Sequence, residues 1–155
     1  MNKIVMSLIV AAISPVVLQA QAPPAAEVCS NKTLQGVSGQ QISGTRPAPD
    51  VLPGFGILLP GSIESVIGVV TAVFDGNGNF TQVDNVKGSL SGITFDRPGL
   101  GTYTVNPDCT GNFRITAGTP FPIVSRFVIV DGGKEFLSVV VSPQGVMVSA
   151  RAKKI

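Results

Sequence analysis

Histidine and tryptophan are absent from this 155-residue chain, and tyrosine occurs once. Without histidine, the chain cannot build a Ser-His-Asp or Cys-His nucleophile, an HExxH site or a histidine-ligated zinc site. Charged residues make up only 13% of the chain, about half the share in an average globular protein. Lys plus Arg number 11 and Asp plus Glu 9, so we expect no electrostatic footprint for nucleic acid or an anionic membrane.

The N-terminal segment has the layout of a signal peptide. Lys3 precedes an almost unbroken apolar run over residues 4–13, and the segment that follows ends in the small residue Ala20. This order predicts cleavage after Ala20 and a secreted or periplasmic location. Pro15 interrupts the apolar run well before the roughly 20 residues that a transmembrane helix needs. We therefore expect no stable membrane insertion.

The two cysteines, Cys29 and Cys109, are expected to form a disulfide, because an exported chain with two cysteines is best interpreted as carrying a pair. The bond would pin the N-terminal segment to a turn at residues 106–111. The mature chain is the size of one domain. We therefore divide the sequence into a signal peptide (1–20), a short linker (21–28) and a single domain (29–155).

Runs rich in Val, Ile, Thr and Phe alternate with short Gly, Asn and Asp clusters along the mature chain, and no helical period is found. This pattern is typical of hairpins. The predicted strands are 34–43, 62–74, 79–86, 90–96, 100–106, 111–117, 123–131, 134–142 and 145–152, with a turn at 97–99 (Arg-Pro-Gly) between the fourth and fifth. They predict an all-β protein, an antiparallel up-and-down barrel of about eight to nine strands, with a two-sheet sandwich as the alternative.

Several predicted strands are apolar on both faces. In strand 62–74 one face holds Ile63, Ile67, Val69 and Val73, and the other holds Val66, Val70, Ala72 and Phe74. Such strands need cover on both sides, from the barrel interior, from a loop or from another subunit. Homo-oligomerisation is therefore a second expectation.

Segment 45–61 combines four prolines with several large apolar residues, which is unlike a solvated linker. We expect this long loop to fold over the domain as a lid, with a binding site for a small apolar molecule beneath it. The residues expected to contact that molecule are Phe55, Ile57, Leu59, Tyr103 and Phe127.

No catalytic residue, cofactor or metal site is predicted. Asp75, Asn77 and Asn79 alternate as in a calcium loop, but Phe80 and Val86 stand where glycine and glutamate are required. A hairpin turn explains the same residues. Polar residues that a barrel could direct inward are Glu64, Asp84, Asp96, Tyr103, Arg114 and Arg126.

Four segments resemble a group of small secreted bacterial proteins: 29–36 (CSNKTLQG), 74–80 (FDGNGNF), 101–111 (GTYTVNPDCTG) and 130–135 (VDGGKE). The resemblance spans nearly the whole mature chain. It implies an exported β-barrel similar in shape to calycins or to the allene oxide cyclase barrel, and it carries over no catalytic residue. The Gly-x-Trp segment of lipocalins is missing, since the chain has no tryptophan.

The sequence favours a secreted β-barrel that binds a small apolar ligand without catalysis. The main alternative is a structural or cell-surface interaction module that forms homo-oligomers, and a cyclase- or isomerase-type barrel is less favoured. An outer-membrane barrel is disfavoured because one tyrosine and no tryptophan leave it without aromatic girdles.

Overall fold

The computed structural model describes residues 28–52, 56–57 and 59–155. Within them the backbone is almost entirely extended, apart from one four-residue helix, α1 (Asn31–Leu34), and a 3₁₀ turn, Asp131–Gly133. The strands are β1 (Gly36–Pro47), β2 (Val51–Leu52), β3 (Gly56–Ile57), β4 (Ile63–Phe74), β5 (Asn79–Gly88), β6 (Gly92–Val105), β7 (Thr110–Ala117), β8 (Ile123–Val130), β9 (Glu135–Ser142) and β10 (Met147–Lys154).

Eight of these strands form one closed antiparallel barrel in the order β1-β10-β9-β8-β7-β6-β5-β4, with β4 pairing back onto β1. From β4 to β10 each strand pairs with the next one along the chain. The predicted up-and-down barrel is therefore confirmed, and the sandwich alternative is not. β2 and β3 form a separate ribbon in the segment between β1 and β4.

The turn predicted at 97–99 is wrong, because β6 runs through it over 14 residues. Pro98 pairs with Val83 of β5. Nearby, a bulge in β6 opposite Asn85 already interrupts the ladder, and strands accommodate proline close to such interruptions. The Asp96 backbone N–H donates to the Asn85 side chain at 3.2 Å in place of a ladder bond. Two predicted strands therefore merge into one.

The long loop also begins later than predicted. β1 stays paired with β4 as far as Pro47, with Thr45 opposite Ser65 and Arg46 opposite Glu64. Residues 45–47 are therefore strand, and the Arg46 side chain belongs to the barrel wall. Cross-strand partners decide this extension, and they are not visible in the local sequence.

One end of the barrel, the closed end, carries α1 and the turns at 75–78, 106–109 and 131–134. Inward-facing aromatic rings fill the barrel near this end. Phe113 stacks on Phe127 with ring centroids 4.3 Å apart, and Phe74 meets Tyr103 edge-on at 5.2 Å. The buried residues of this cluster are Cys29, Leu34, Ala72, Phe74, Phe80, Tyr103, Val105, Phe113, Phe127, Ile129, Phe136 and Ala152.

The disulfide between Cys29 and Cys109 is present, with the two Cα atoms 5.0 Å apart. Cys29 N also donates to the carbonyl of Pro107 at 3.3 Å. The bond therefore fixes the start of the described chain to the turn at 106–109, as predicted. It also holds α1 against the closed end, where Leu34 is buried in the aromatic cluster.

The outer surface of β4 carries a stripe of exposed aliphatic side chains, here called the β4 stripe, and no charged residue points outward along that strand. The predicted division of its two faces is confirmed, because the alternate residues of β4 are buried inside the barrel. The members of the β4 stripe are Ile63, Ile67, Val69 and Val73. Among the described residues no helix has the length and apolar character needed to cross a membrane.

Candidate functional site

Above the aromatic cluster, the barrel encloses a cavity of about 130 Å³. Its floor is formed by Phe74, Phe80 and Phe113, because the cluster of the closed end stops at that level. Connections at the opposite end, here called the mouth, contribute Thr119 and Val146. Aliphatic side chains from β1, β4, β5, β9 and β10 also line the wall, among them Ile42, Val66, Val70, Val86, Val140 and Val148.

An ion pair lies on one side of the cavity. Asp84 of β5 is opposite Arg97 of β6 on the inner face. The Arg97 Nε donates to Asp84 Oδ1 at 3.0 Å and its Nη2 donates to Oδ2 at 3.0 Å. Gln82 Nε2 adds a longer bond to Asp84 Oδ2 at 3.4 Å. The Asp84 side chain is 5% exposed and that of Arg97 25%, so the carboxylate is the more deeply buried partner.

A second ion pair lies nearer the mouth. Arg46 lines the cavity, and its Nε donates to Glu64 Oε1 at 2.8 Å. The Glu64 side chain is fully buried. Its other oxygen accepts from the backbone N–H of Ser91 at 2.9 Å and of Leu90 at 3.2 Å. Glu64 therefore anchors the β5–β6 turn to β4 as well as balancing Arg46.

Burial opposes ionisation of Glu64, but the hydrogen bonds from Ser91, Arg46 and Leu90 outweigh it and hold the pKa of this carboxyl below its ordinary value of 4.5. Hydrogen bonds to the charged form of a carboxyl lower its pKa in this way. The buried glutamate is therefore a carboxylate at neutral pH, and its charge is matched by that of Arg46.

Three further polar side chains on the wall have no hydrogen-bond partner among the described residues. They are the Gln40 amide on β1 and the hydroxyls of Ser125 on β8 and Ser138 on β9, and all three line the cavity. Polar groups inside a protein are normally satisfied by protein, water or ligand atoms. The cavity therefore combines an apolar wall with hydrogen-bonding groups that a bound molecule can reach.

Two of the predicted ligand-contacting residues lie in the closed end and do not line the cavity. Tyr103 and Phe127 are each 3% exposed and belong to the aromatic cluster. The Tyr103 hydroxyl donates to the Asn31 carbonyl at 3.0 Å and accepts from Gly76 N at 2.9 Å. Burial raises the pKa of this phenol. Tyr103 thus joins α1 to the turn at 75–78.

The other three predicted contacts come from the long loop. Leu59 is 82% exposed, and Ile57 pairs with Val51 in the β2–β3 ribbon. Phe55 lies outside the described residues, as does the predicted signal peptide, residues 1–20. Leu59 is therefore not part of the cavity wall that the described residues form.

Of the polar strand residues singled out in the sequence, Glu64 and Asp84 are buried inside the barrel, whereas Asp96, Arg114 and Arg126 are exposed. The sequence interpretation missed the two arginines that line the cavity, Arg46 and Arg97. It placed one in a loop and the other in a turn. The only local signal was alternation continued through Pro98 and past Thr45.

The calcium-like segment is a self-satisfied turn. Asp75 Oδ1 accepts from the backbone N–H groups of Asn77 at 2.7 Å and Asn79 at 2.9 Å, and Oδ2 accepts from the Asn79 amide at 2.8 Å. The Asn79 side chain, followed by these backbone groups, holds the pKa of Asp75 below its usual value. Across the described ranges no group of three or more His, Cys, Asp or Glu side chains could hold a metal ion.

Comparison with known proteins adds no relative: no family model, no curated protein and no solved structure matches this chain.

Proposed function

We propose that this protein is an exported β-barrel that binds a small apolar molecule in the cavity at the mouth, without catalysing a reaction. The observation that carries the proposal is the cavity of about 130 Å³ with its mainly aliphatic and aromatic wall. Ligand sites are typically concave and mostly apolar, with a few polar groups that orient the ligand. An apolar cavity of roughly 150 Å³ holds benzene, so this one suits a compact molecule or the end of a longer one.

Export is part of the proposal. The disulfide between Cys29 and Cys109 is compatible with an oxidising compartment such as the periplasm or the exterior of the cell. The charge, apolar run and small residues of positions 1–20 support removal of a signal peptide after Ala20. The resemblance to small secreted bacterial barrels of calycin-like shape points in the same direction.

A cyclase- or isomerase-type activity is the less favoured alternative. Both buried carboxylates near the cavity are already engaged. Glu64 bonds Arg46 and the β5–β6 turn, and Asp84 bonds Arg97 through both oxygens. A general base must reach the proton that it removes. Ligand binding needs no such group and uses the wall as it stands.

Toluene is expected to stabilise the mature protein, and Val140→Phe is expected to abolish that effect. Val140 lines the cavity, so a phenyl ring there fills the space that toluene needs. At a free concentration ten-fold above Kd, a ligand adds about 1.4 kcal/mol to the free energy of unfolding. Urea unfolding with and without toluene measures this difference.

The matched control is Val139→Phe, because Val139 is the preceding residue on β9 and its side chain is 49% exposed on the outside of the barrel. This variant should respond to toluene as the wild type does. If Val140→Phe does not fold, Ser138→Leu fills the same cavity from two residues away. A wild-type midpoint that saturating toluene leaves unchanged would refute the binding proposal.

A second candidate function, a homo-oligomeric structural or surface module, is favoured by the β4 stripe. Ile67 and Val69 are 61% and 58% exposed, and no outward charge interrupts the stripe on β4. The closed barrel itself has no free strand edge, which leaves its outer faces for association. Exposed apolar patches of this kind mark interaction surfaces, and a second copy presents the same apolar stripe.

Native mass spectrometry of the protein recovered from its own secretory route tests this candidate. We expect an oligomer whose protomer begins at Gln21 and is two hydrogens lighter than the reduced chain. Val69→Lys should convert the oligomer to a monomer, because burying an unpaired ammonium is unfavourable. Val139→Lys, on the outer face of β9, should leave the oligomer intact. A wild-type protein that stays monomeric at high concentration would exclude the module.

A further inference from the structure

The charges on the cavity wall cancel. The two arginines that line the cavity are Arg46 and Arg97. Arg46 is paired with Glu64 at 2.8 Å, and Arg97 is paired with Asp84 at 3.0 Å. The side chains of Glu64 and Asp84 are almost fully buried, whereas those of Arg46 and Arg97 remain about one quarter exposed. The cavity therefore has guanidinium groups on its surface, but paired carboxylates cancel their charge.

A ligand carboxylate would meet an unfavourable field at this wall. Beside Arg97 it would share one guanidinium with Asp84, which already takes both Nε and Nη2. Two carboxylates next to a single cation leave an uncompensated negative charge in a poorly solvated place. The desolvation free energy of the ligand carboxylate would then not be compensated by contacts in the cavity.

A neutral oxygen atom of a ligand would instead find hydrogen-bond donors on this wall. The Nη1 groups of Arg46 and Arg97 have no acceptor among the described residues, since Arg46 bonds only through Nε and Nη2, as does Arg97. The Gln40 amide and the Ser125 and Ser138 hydroxyls are likewise without protein partners in the described chain. These groups can donate to a carbonyl, ester or hydroxyl oxygen without requiring a charge.

We propose that the cavity selects neutral apolar molecules that carry an oxygen acceptor, such as ketones, aldehydes, esters or alcohols, and discriminates against carboxylates. The selectivity comes from the two matched ion pairs together with the unpaired donors of the wall. Asp84 is the determinant against anions, because its charge is what neutralises Arg97. This inference rests on the proposed ligand-binding function and adds to it the chemical class of the ligand.

The test uses three probes of nearly equal shape: isopropylcyclopentane, cyclopentyl methyl ketone and cyclopentanecarboxylate. Their dissociation constants are measured at pH 7 with the full mature chain. For the wild type we expect the carboxylate to bind at least about thirty-fold more weakly than the ketone, the scale set by like charges a few ångströms apart at a partly solvated site. Gln40→Leu should weaken ketone binding relative to the hydrocarbon, whereas Gln41→Leu, on the exposed outer face of β1, should not.

The decisive variant is Asp84→Asn, which leaves the shape of the wall but frees the charge of Arg97. We expect carboxylate affinity to rise at least about ten-fold relative to the wild type, with circular dichroism confirming the fold. Asp108→Asn, an exposed change in the turn at the closed end, should leave all three constants unchanged. A structural role for Asp84 alone would predict loss of affinity for every probe.

The outcomes separate the two proposals. If neither the hydrocarbon nor the ketone binds the wild type, the ligand-binding function itself is wrong. If they bind but the carboxylate binds within about three-fold of the ketone, or Asp84→Asn leaves that ratio unchanged, ligand binding stands and the selectivity for neutral oxygen-bearing molecules is overturned.

Discussion

Replacing both Cys29 and Cys109 by alanine is expected to lower the free energy of unfolding by about 4 to 5 kcal/mol, because the disulfide closes a loop of 80 residues in the unfolded chain. Most of this effect arises in the unfolded state, because the chain without the disulfide has more conformational freedom there. For a domain of this size, the change corresponds to a fall in Tm on the order of 15 °C. Urea and thermal unfolding of the oxidised protein and the double variant measure it.

The folded state is also affected, since the disulfide holds α1 at the closed end. Asn31 Oδ1 accepts from Val105 N at 2.8 Å, and the Tyr103 hydroxyl donates to the Asn31 carbonyl. Without the bond these contacts must hold the helix alone, and hydrogen exchange should be fastest at that end. Reductant supplies the internal control, because it should destabilise the wild type and leave the double variant unchanged. Equal urea midpoints for the oxidised protein and the double variant would contradict the expectation.

Glu64→Gln is expected to cost about 3 kcal/mol, which is the scale for removing one partner of a buried ion pair. The substitution leaves Arg46 without its counterion and puts an amide where Oε2 now accepts from Leu90 N and Ser91 N. The β5–β6 turn should loosen at the same time. Urea unfolding measures the loss, and exchange of the Leu90 and Ser91 amides locates it.

The matched control is Glu135→Gln, the same change at another glutamate that is paired with an arginine. Glu135 accepts from Arg151 at 2.6 Å and 3.2 Å, but the Arg151 side chain is 65% exposed. Solvent screens an ion pair with an exposed partner, so this pair contributes little to stability. A loss at position 64 no larger than that at position 135 would show that Glu64 is not the anchor described here.

Glu64→Gln is also expected to change the pH dependence of stability. The folded pKa of Glu64 lies below its unfolded value, so the unfolded chain binds the proton more readily. The contribution of Glu64 is therefore complete above the ordinary pKa of 4.5 and is lost as pH falls through the folded pKa. Glu64→Gln should lose stability less steeply than the wild type over that acid range, although Asp75, Asp108 and Glu135 still titrate there with lowered pKa values.

Much of the fold was predictable because its signals are local. Alternation with a period of two predicted one face of β4 with Val66, Val70 and Phe74. It predicted the opposite face with Ile67 and Val69, and both faces are confirmed. Short Gly, Asn and Asp clusters located most of the turns. Two of the errors, the turn at 97–99 and the early start of the loop, lie where cross-strand pairing kept a strand extended past a proline or a polar residue.

The site was much less predictable. Tyr103 and Phe127 face inward, as a contact with an interior ligand would require, but they lie at the level that the aromatic cluster fills. The height of an inward residue along the barrel depends on the register of all the neighbouring strands. Arg46 and Arg97 escaped notice because their direction depends on partners 18 and 13 residues away, Glu64 and Asp84.

By itself, the sequence determined that the protein is all-β, with short antiparallel strands, tight turns and two cysteines to pair, because alternation and turn chemistry act over a few residues. Only the tertiary structure decided which inward side chains pack the closed end, which line the cavity, and which charges meet across strands. Those outcomes depend on the register of hydrogen bonds between strands and on the closure of β4 onto β1. Neither is encoded within any single stretch of the chain.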